Sequence, residues 1–257
     1  MPTPPSLTAP QGFRVAATTA GIKASGKPDL ALIAAQGPCA AAGVFTTNKV
    51  LGAPVLVGKA HLRGGRAQAI LCNSGNSNVA TGPQGLADAK AMCAAAATEL
   101  GCKTTDVLPA STGIIGRVLP IQKITSALPQ LAAQLSTGPA ADHAAATAIL
   151  TTDLAAKSTT RTLKRGITLG GIAKGSGMIA PSMATMLAFV TTDANIAPVA
   201  LRTALRQATA ATFNRISVDT DTSTSDTVYA LANGAVGGRL IAAASGAVYN
   251  RFVEALT

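Results

Sequence analysis

The apolar side chains of this chain are nearly all small, and this limits the folds available to it. Hydrophobic residues make up 48% of the 257 positions, yet aromatic residues make up only 3% and tryptophan is absent. Alanine, glycine and other small residues must therefore fill the core, so helices and strands have to approach one another closely. A chain of this length can bury a sizeable core, in one large domain or in two lobes.

Strand-like and helical patterns follow one another irregularly along the chain. Strand patterns are found at residues 28–36, 39–48, 53–62 and 67–78, with the turn "QGPC" between the first two. Helical spacing of apolar residues predicts helices over 84–101, 121–135, 139–153 and 197–217, the first of them ending at Gly101. Hairpins mixed with helices in this order favour an α/β or α+β sandwich, with antiparallel and mixed sheets flanked by helices, rather than a Rossmann sheet.

The chain lacks the patterns that direct a protein into or through a membrane. No apolar run reaches the roughly 18 residues that are needed to span a bilayer. The N-terminal residues lack the charged start and the continuous apolar segment of a signal peptide. We therefore expect a soluble, cytoplasmic protein with no membrane partner.

The formal net charge of +10 has three explanations. A nucleic-acid partner is the first, but the basic residues are scattered and few aromatic side chains are present to stack on bases. An anionic small substrate is the second, and the lack of an acidic portion that balances the chain is the third. The residues leave the last two open, and we expect no nucleic-acid partner.

Cysteine and histidine are too few and too dispersed for a structural zinc site. The two histidines, His61 and His143, stand far from any defensible Ser-His-Asp arrangement. We therefore expect no metal site. The four cysteines form no CxxC pair and are expected to be buried free thiols: Cys39, Cys72, Cys93 and Cys102.

Two polar segments resemble common ligand-binding loops but depart from their patterns. In "GIAKGSGM" the lysine precedes the last glycine, whereas a Walker loop needs it after that glycine and directly before Ser or Thr. The segment "DTDTSTSDT" lacks the Gly and the Glu of an EF-hand calcium loop, although it offers three carboxylates: Asp219, Asp221 and Asp226. A hydroxyl-rich turn that caps the next element is the better interpretation of this segment.

A single hydroxyl interrupts the apolar run "MATMLAF", where Thr185 lies between Ala184 and Met186. A threonine hydroxyl becomes a nucleophile when a base stands beside it, and the most economical base is the residue's own α-amine. That amine is free only if the chain is cut directly before Thr185. An α-amine has a pKa of roughly 8, so it can accept the hydroxyl proton without a histidine.

Several longer motifs together resemble one enzyme family. The segments "NSGNSN", "LPASTGIIG", "TTD", "GGIAKGSGMIAPSMATMLAFVTTDA" and "VDTDTSTSDT" are similar to those of the ornithine acetyltransferases, the bifunctional glutamate N-acetyltransferases of arginine biosynthesis. The motifs occur in the family's order and cover essentially the whole chain. The resemblance implies a DmpA/ArgJ-like sandwich.

This resemblance implies a self-cleaving precursor. Cleavage between Ala184 and Thr185 would give an α chain of residues 1–184 and a β chain that begins at residue 185, with residues 185–257 as its first part. The cleaved chains would pair into an α2β2 heterotetramer. Thr185 would take the acetyl group of N-acetylornithine and pass it to glutamate in a ping-pong reaction. Acetyl-CoA is an optional acetyl donor in some members, and the implied reaction needs no metal or organic cofactor.

The resemblance also assigns site residues. Thr112 and Gly113 match the family's oxyanion-hole pair, in which donors face the oxygen of a tetrahedral intermediate. Thr151, Lys174 and Thr185 match substrate-binding positions, and a lysine suits a ligand that carries a carboxylate. For Thr151, capping of a helix end by "TTD" is the alternative interpretation.

The sequence departs from the family in one respect. Family members continue with a "DGEGATK"-like stretch and a C-terminal Asn and Thr, none of which precedes Thr257, so the chain is expected to be C-terminally truncated. Two alternatives to the acetyltransferase stay open at this point. One is a self-processing amidase or aminopeptidase that uses water as the acceptor, and the other is an uncleaved, inactive fragment.

Overall fold

The computed structural model describes residues 5–164, 166–178, 186–219 and 221–257. In this part of the chain the strands form one mixed sheet in the order β4-β3-β2-β8-β7-β6-β5, and β1 pairs with β2. The strands are β1 (Phe13–Thr18), β2 (Leu30–Phe45), β3 (Arg66–Asn76), β4 (Val107–Ile114), β5 (Lys157–Thr162), β6 (Thr168–Lys174), β7 (Leu187–Thr192) and β8 (Thr227–Ala232). The α-helices are α1 (Ala53–His61), α2 (Gly82–Leu100), α3 (Ile121–Ala133), α4 (Pro139–Ala148), α5 (Pro198–Ala211) and α6 (Ala247–Leu256).

Strand β2 connects the two halves of the sheet. Its first part pairs with β1 and β3, whereas residues 40–45 pair with β8. The predicted turn "QGPC" between two strands is wrong, because the chain continues as one strand of 16 residues. Pro38 lies between the last β1 partner, Ala35, and the first β8 partner, Ala40. No described strand pairs with Pro38 at this point, so the lack of a backbone N–H in proline costs the sheet no hydrogen bond.

The predicted strand over residues 53–62 is also wrong, because Ala53–His61 form helix α1. The segment begins after Gly52 and carries a proline in its first turn, a position at which proline favours a helix. A short apolar run does not distinguish a strand from a buried helix. The other helix predictions hold, and α2 ends as expected at Gly101, whose φ of 63° lies in the left-handed region.

Three apolar clusters show how the layers are stacked. One cluster joins inward-facing residues of β1–β4 and β6–β8, and there the Tyr229 hydroxyl donates a hydrogen bond to the Pro109 carbonyl at 3.1 Å. The second lies between the sheet and helices α1–α3, and the third lies between the sheet and α5 and α6. Helix α4 contributes Ala145, Ala146 and Ala148 to the first cluster, whereas the other helices pack against the opposite face of the sheet. This arrangement confirms the predicted sandwich of mixed sheet and flanking helices.

Small residues permit this close packing, as the composition predicts. A Cβ on Gly58 of α1 would overlap the hydroxyl of Tyr229, so only glycine fits beneath that ring. Three of the four free cysteines are buried and Cys102 is half-buried. Within the described ranges, none of the helices combines the length and the apolar character that crossing a bilayer requires.

Candidate active site

A cleft of about 770 Å³ opens where strands β3 and β4 end. The two strands are parallel, and their register pairs Ser74 with Thr112 and Gly75 with Gly113. Parallel neighbours present their carboxyl ends at the same edge of a sheet, where α/β proteins often place ligands. Loops that follow β1, α4 and β6 complete the wall of the cleft: residues 22–25, 151–152 and 177–178.

Two facing glycines bring the backbones of β3 and β4 unusually close. Gly113 has a φ of 131° and Gly75 a φ of 99°, both in a region that favours glycine. A Cβ on Gly113 would lie 2.6 Å from the backbone nitrogen of Asn76. Because the obstacle is backbone rather than a flexible side chain, the site admits no other residue without a shift of the main chain.

A buried polar pair fixes the turn after β3. The Ser111 hydroxyl donates to Asn73 Oδ1 at 2.5 Å, and Asn73 Nδ2 donates to the carbonyl of Asn76 at 2.8 Å. Both side chains are buried, so the bonds are shielded from water. The motif "NSGNSN" therefore serves to hold the floor of the cleft beside Thr112.

Lys174 ends β6 and lies almost fully buried, with 2% of its surface exposed. Its Nζ donates to the Thr151 hydroxyl at 3.0 Å, and Thr151 lines the cleft. Burial lowers the pKa of Lys174, and the carboxylates of Asp153 and Asp226 act in the opposite direction. A carboxylate that enters the cleft would stabilise the charged amine further, because an opposite charge favours ionisation.

Asp153 fixes the turn that follows Lys174. Its Oδ1 accepts hydrogen bonds from the Gly175 amide at 2.7 Å and from Lys157 Nζ at 2.5 Å. Burial alone would raise the pKa of Asp153, but these bonds outweigh it and the pKa is lowered. The ionised carboxylate therefore ties β5, the end of β6 and the "TTD" loop together. This makes Thr151 part of the cleft wall rather than only the end of a helix.

The sequence did not indicate two cationic side chains that lie on the rim of the cleft. Lys23 and Arg117 both line the cleft. Lys23 Nζ donates to the carbonyl of Pro28 at 2.7 Å, and its loop is held by buried Asp29, which accepts from three backbone amides at 2.6–2.9 Å. Burial lowers the pKa of Lys23. The excess of Lys and Arg was the only available signal, and it could not indicate which residues line the cleft.

Asp226 is the other residue whose position the sequence did not indicate. The loop pattern offers Asp226 as a calcium ligand. In the structure its Oδ1 instead accepts a hydrogen bond at 2.8 Å from the amide of Met186, the residue directly before β7. Its side chain is buried, and burial raises its pKa to about 7. Among the described residues, Oδ2 of Asp226 has no hydrogen-bond partner.

The structure brings four of the predicted positions together. Thr112, Gly113 and Thr151 line one cleft, and Lys174 contacts Thr151 from below. The predicted nucleophile and cleavage site, Thr185 and Ala184, lie outside the described residues, and their roles stay predictions. Neither histidine lines this cleft. His61 bonds the Val107 carbonyl at 2.7 Å, and His143 lines an adjoining cavity that shares Lys23, Ser25 and Thr151 with the cleft.

Known proteins of one family resemble this chain over most of its length. A family model described as the ArgJ family matches residues 14–257. The arginine biosynthesis bifunctional protein ArgJ of Thermosynechococcus vestitus is 50% identical over 255 residues, which is 98% of this chain and 60% of that relative. This chain thus spans about 60% of the length of that curated relative.

Solved structures show the same fold. An ornithine acetyltransferase of Mycobacterium tuberculosis, solved in complex with ornithine, is 44% identical with a TM-score of 0.68, and the match covers 70% of this chain and 96% of that one. An aminopeptidase of Ochrobactrum anthropi, described as a variant of the Ntn hydrolase fold, has a TM-score of 0.56 at 13% identity over 99% of this chain and 84% of that one. At that identity the similarity concerns the fold alone.

Proposed function

Because this chain belongs to the ArgJ family, we propose that it is an acyltransferase of arginine biosynthesis that moves the acetyl group of N2-acetylornithine to glutamate. Acetyl-CoA is the alternative donor. The observation that carries the proposal is the cleft in which Thr112, Gly113 and Thr151 converge, with the Lys174 amine bonded to Thr151. The relative from M. tuberculosis was solved with ornithine, one product of this reaction.

The reaction begins with self-cleavage between Ala184 and Thr185. The products are an α chain of residues 1–184 and a β chain that begins at Thr185.

The first half-reaction transfers the acetyl group to the enzyme. The α-amine of Thr185 takes the hydroxyl proton, and the oxygen attacks the acetyl carbonyl carbon. The resulting oxyanion is stabilised by donors from Thr112 and Gly113, one hydroxyl and one backbone amide. The intermediate collapses as the C–N bond breaks, the proton passes to the departing nitrogen, and ornithine leaves behind an acetyl ester on Thr185.

The second half-reaction reverses these steps with a new acceptor. The neutral α-amine of glutamate attacks the ester carbonyl, and the same donors stabilise the second oxyanion. The Thr185 oxygen leaves and regains a proton through its own α-amine, so no proton is gained or lost overall. Free enzyme and N-acetylglutamate are the products, and no metal or organic cofactor enters either step.

Charge selects the substrates. Lys174 offers a point charge to the α-carboxylate that the donor and the acceptor share. Thr151 orients the Lys174 amine through their 3.0 Å bond. Lys23 and Arg117 add positive charge at the rim, which favours the entry of anionic amino acids. We further propose a cytoplasmic α2β2 heterotetramer of the cleaved chains.

Intact-mass spectrometry of the purified chain tests the proposal. We expect two fragments that meet at Ala184 and Thr185, and an acetyl adduct on the second fragment after incubation with N-acetylornithine. The variant Thr185→Ala should stay uncut, whereas Thr185→Ser keeps a hydroxyl and should still be cut. Cutting of Thr185→Ala at the same bond would contradict the proposal.

Dependence on the acceptor separates transfer from hydrolysis. Glutamate should discharge the acetyl adduct and yield N-acetylglutamate. Release of acetate at a rate that glutamate does not change would instead support the amidase or aminopeptidase alternative. A single uncut mass without any adduct would support the inactive fragment.

A further inference from the structure

The self-cleavage step raises a problem that the acetyl-transfer steps do not have. Before the chain is cut, the nitrogen of Thr185 is part of a peptide bond and cannot accept a proton. The base proposed for acetyl transfer is therefore absent when the hydroxyl of Thr185 must first attack the Ala184 carbonyl. Another group has to accept that proton, since an unactivated hydroxyl is a weak nucleophile.

Asp226 lies next to the reacting segment. Its Oδ1 accepts the amide N–H of Met186 at 2.8 Å, and that nitrogen is bonded directly to the carbonyl carbon of Thr185. The side chain is fully buried at the end of the polar loop that leads into β8. The two oxygens of Asp29 accept three amides, whereas the carboxylate of Asp226 accepts one amide and interacts with the side chain of Ser223.

The second oxygen of Asp226, Oδ2, is one of five buried side-chain oxygens without a hydrogen-bond partner among the described residues. A buried carboxylate oxygen without a partner is costly, because its hydration is lost without compensation. Oδ2 of Asp88 and of Asp153 is equally unpartnered, so what distinguishes Asp226 is its hydrogen bond to the amide that directly follows Thr185.

We propose that Asp226 accepts the hydroxyl proton of Thr185 during self-cleavage and returns it to the departing nitrogen. The Thr185 oxygen bonds to the Ala184 carbonyl carbon, the C–N bond breaks, and the proton moves from hydroxyl to carboxylate to the new α-amine. Water then hydrolyses the resulting ester and restores the hydroxyl. This inference rests on the proposed self-cleavage and adds a residue to it.

The electrostatic surroundings agree with this role. Burial raises the pKa of Asp226 to about 7, and that increase is opposed by the Met186 amide, by the Ser223 side chain and by the positive charge of Lys174 on β6. Lys174 in turn interacts with Asp153, Lys157 on β5 and the Cys72 thiol on β3. A general base is most effective when its pKa lies near the working pH, and about 7 meets that condition. Cleavage should therefore accelerate as the pH rises through about 7.

The cleavage rate of chain made by cell-free synthesis provides the test, followed by intact mass at several pH values. Asp226→Asn retains an oxygen for the Met186 amide but cannot accept a proton. We expect cleavage at least ~100-fold slower than in the wild type, with the rise near neutral pH lost. Asp221→Asn is the matched control, because it makes the same change at an exposed position of the same loop, and it should cleave as fast as the wild type.

A second measurement does not depend on cleavage. The chain has five methionines, so labelling them with ¹⁵N gives few amide signals, and Met186→Leu identifies the one of interest. In a Thr185→Ala background the Met186 signal should titrate with a midpoint near pH 7, and it should not titrate once Asp226→Asn is added. This comparison also shows whether the variant folds.

The outcomes separate the two proposals. A wild type that cuts, with Asp226→Asn cutting equally fast and with the same pH profile, overturns the role of Asp226 alone. A Met186 signal that is insensitive to Asp226→Asn overturns it as well. A wild type that stays uncut at every pH overturns the self-cleavage on which both proposals rest.

Discussion

Gly113→Ala is the sharpest test of the cleft geometry, because its cost can be estimated from the backbone. Gly113 has a φ of 131°, and such conformations cost other residues about 1–3 kcal/mol. The added Cβ would also lie 2.6 Å from the Asn76 nitrogen. Relieving such an overlap in a packed region costs about 1–3 kcal/mol more. We therefore expect a loss of at least ~3 kcal/mol in the free energy of unfolding.

Gly116→Ala is the matched control for backbone conformation. Gly116 also has a positive φ, 80°, but a Cβ there would meet no heavy atom within 4 Å. Its substitution should cost about 1 kcal/mol, the usual penalty for a positive φ in an L-residue. Urea unfolding of the two variants measures the difference, which should be at least ~2 kcal/mol.

A second assay concerns the oxyanion hole. Gly113→Ala keeps its backbone amide, but the main-chain shift that the Cβ requires would move this donor away from the oxyanion. Loss of one donor there typically slows catalysis about 10²–10³-fold, so Gly113→Ala should cleave and acetylate far more slowly than Gly116→Ala at a temperature where both are folded. Equal stability of the two variants, to within ~0.5 kcal/mol, would refute the close approach of β3 and β4. Equal rates would refute the assignment of the hole.

Three further predictions address buried polar groups. Asp226 has a pKa of about 7 in the folded chain against an ordinary value of 3.8, so between about pH 4 and pH 7 the folded state binds more protons than the unfolded state. The free energy of unfolding of the wild type should therefore fall as the pH rises from about 4 to 7, by at most ~4 kcal/mol, and urea unfolding of Asp226→Asn should show no such decrease. Lys174→Met should raise the free energy of unfolding by roughly 1 kcal/mol, because an apolar side chain replaces a buried amine. Its affinity for N-acetylornithine, measured by calorimetry, should fall at least ~10-fold, and an unchanged affinity would contradict the role of Lys174. Tyr229→Phe should cost ~1–2 kcal/mol in thermal unfolding, since the Pro109 carbonyl loses its donor, and no loss would mean that water replaces that donor.

Local patterns predicted the elements whose signals lie within one segment. Helix α2 and its end at Gly101 follow from helical spacing and from the freedom of glycine at positive φ. The sandwich class follows from the order of the elements, and the motif order identified the family. The same motifs named Thr112, Gly113, Thr151 and Lys174 as site positions before their proximity was known.

Local patterns failed where pairing partners decide the conformation. The "QGPC" segment has turn residues, yet it continues as strand because β1, β3 and β8 pair on either side of it. Residues 53–62 are apolar enough for a strand, but their packing in the cluster between the sheet and helices α2 and α3 favours a helix. Strand pairing and burial are properties of distant segments, so tertiary context overrides propensity at such positions.

The order of the motifs and the apolar periodicity of single segments were determined by the sequence alone. The contact between Lys174 and Thr151 joins residues 23 positions apart, and that between Asp226 and Met186 joins residues 40 positions apart. Only the tertiary structure decided these contacts, because burial sets the pKa of each group and burial depends on the packing of the whole sheet.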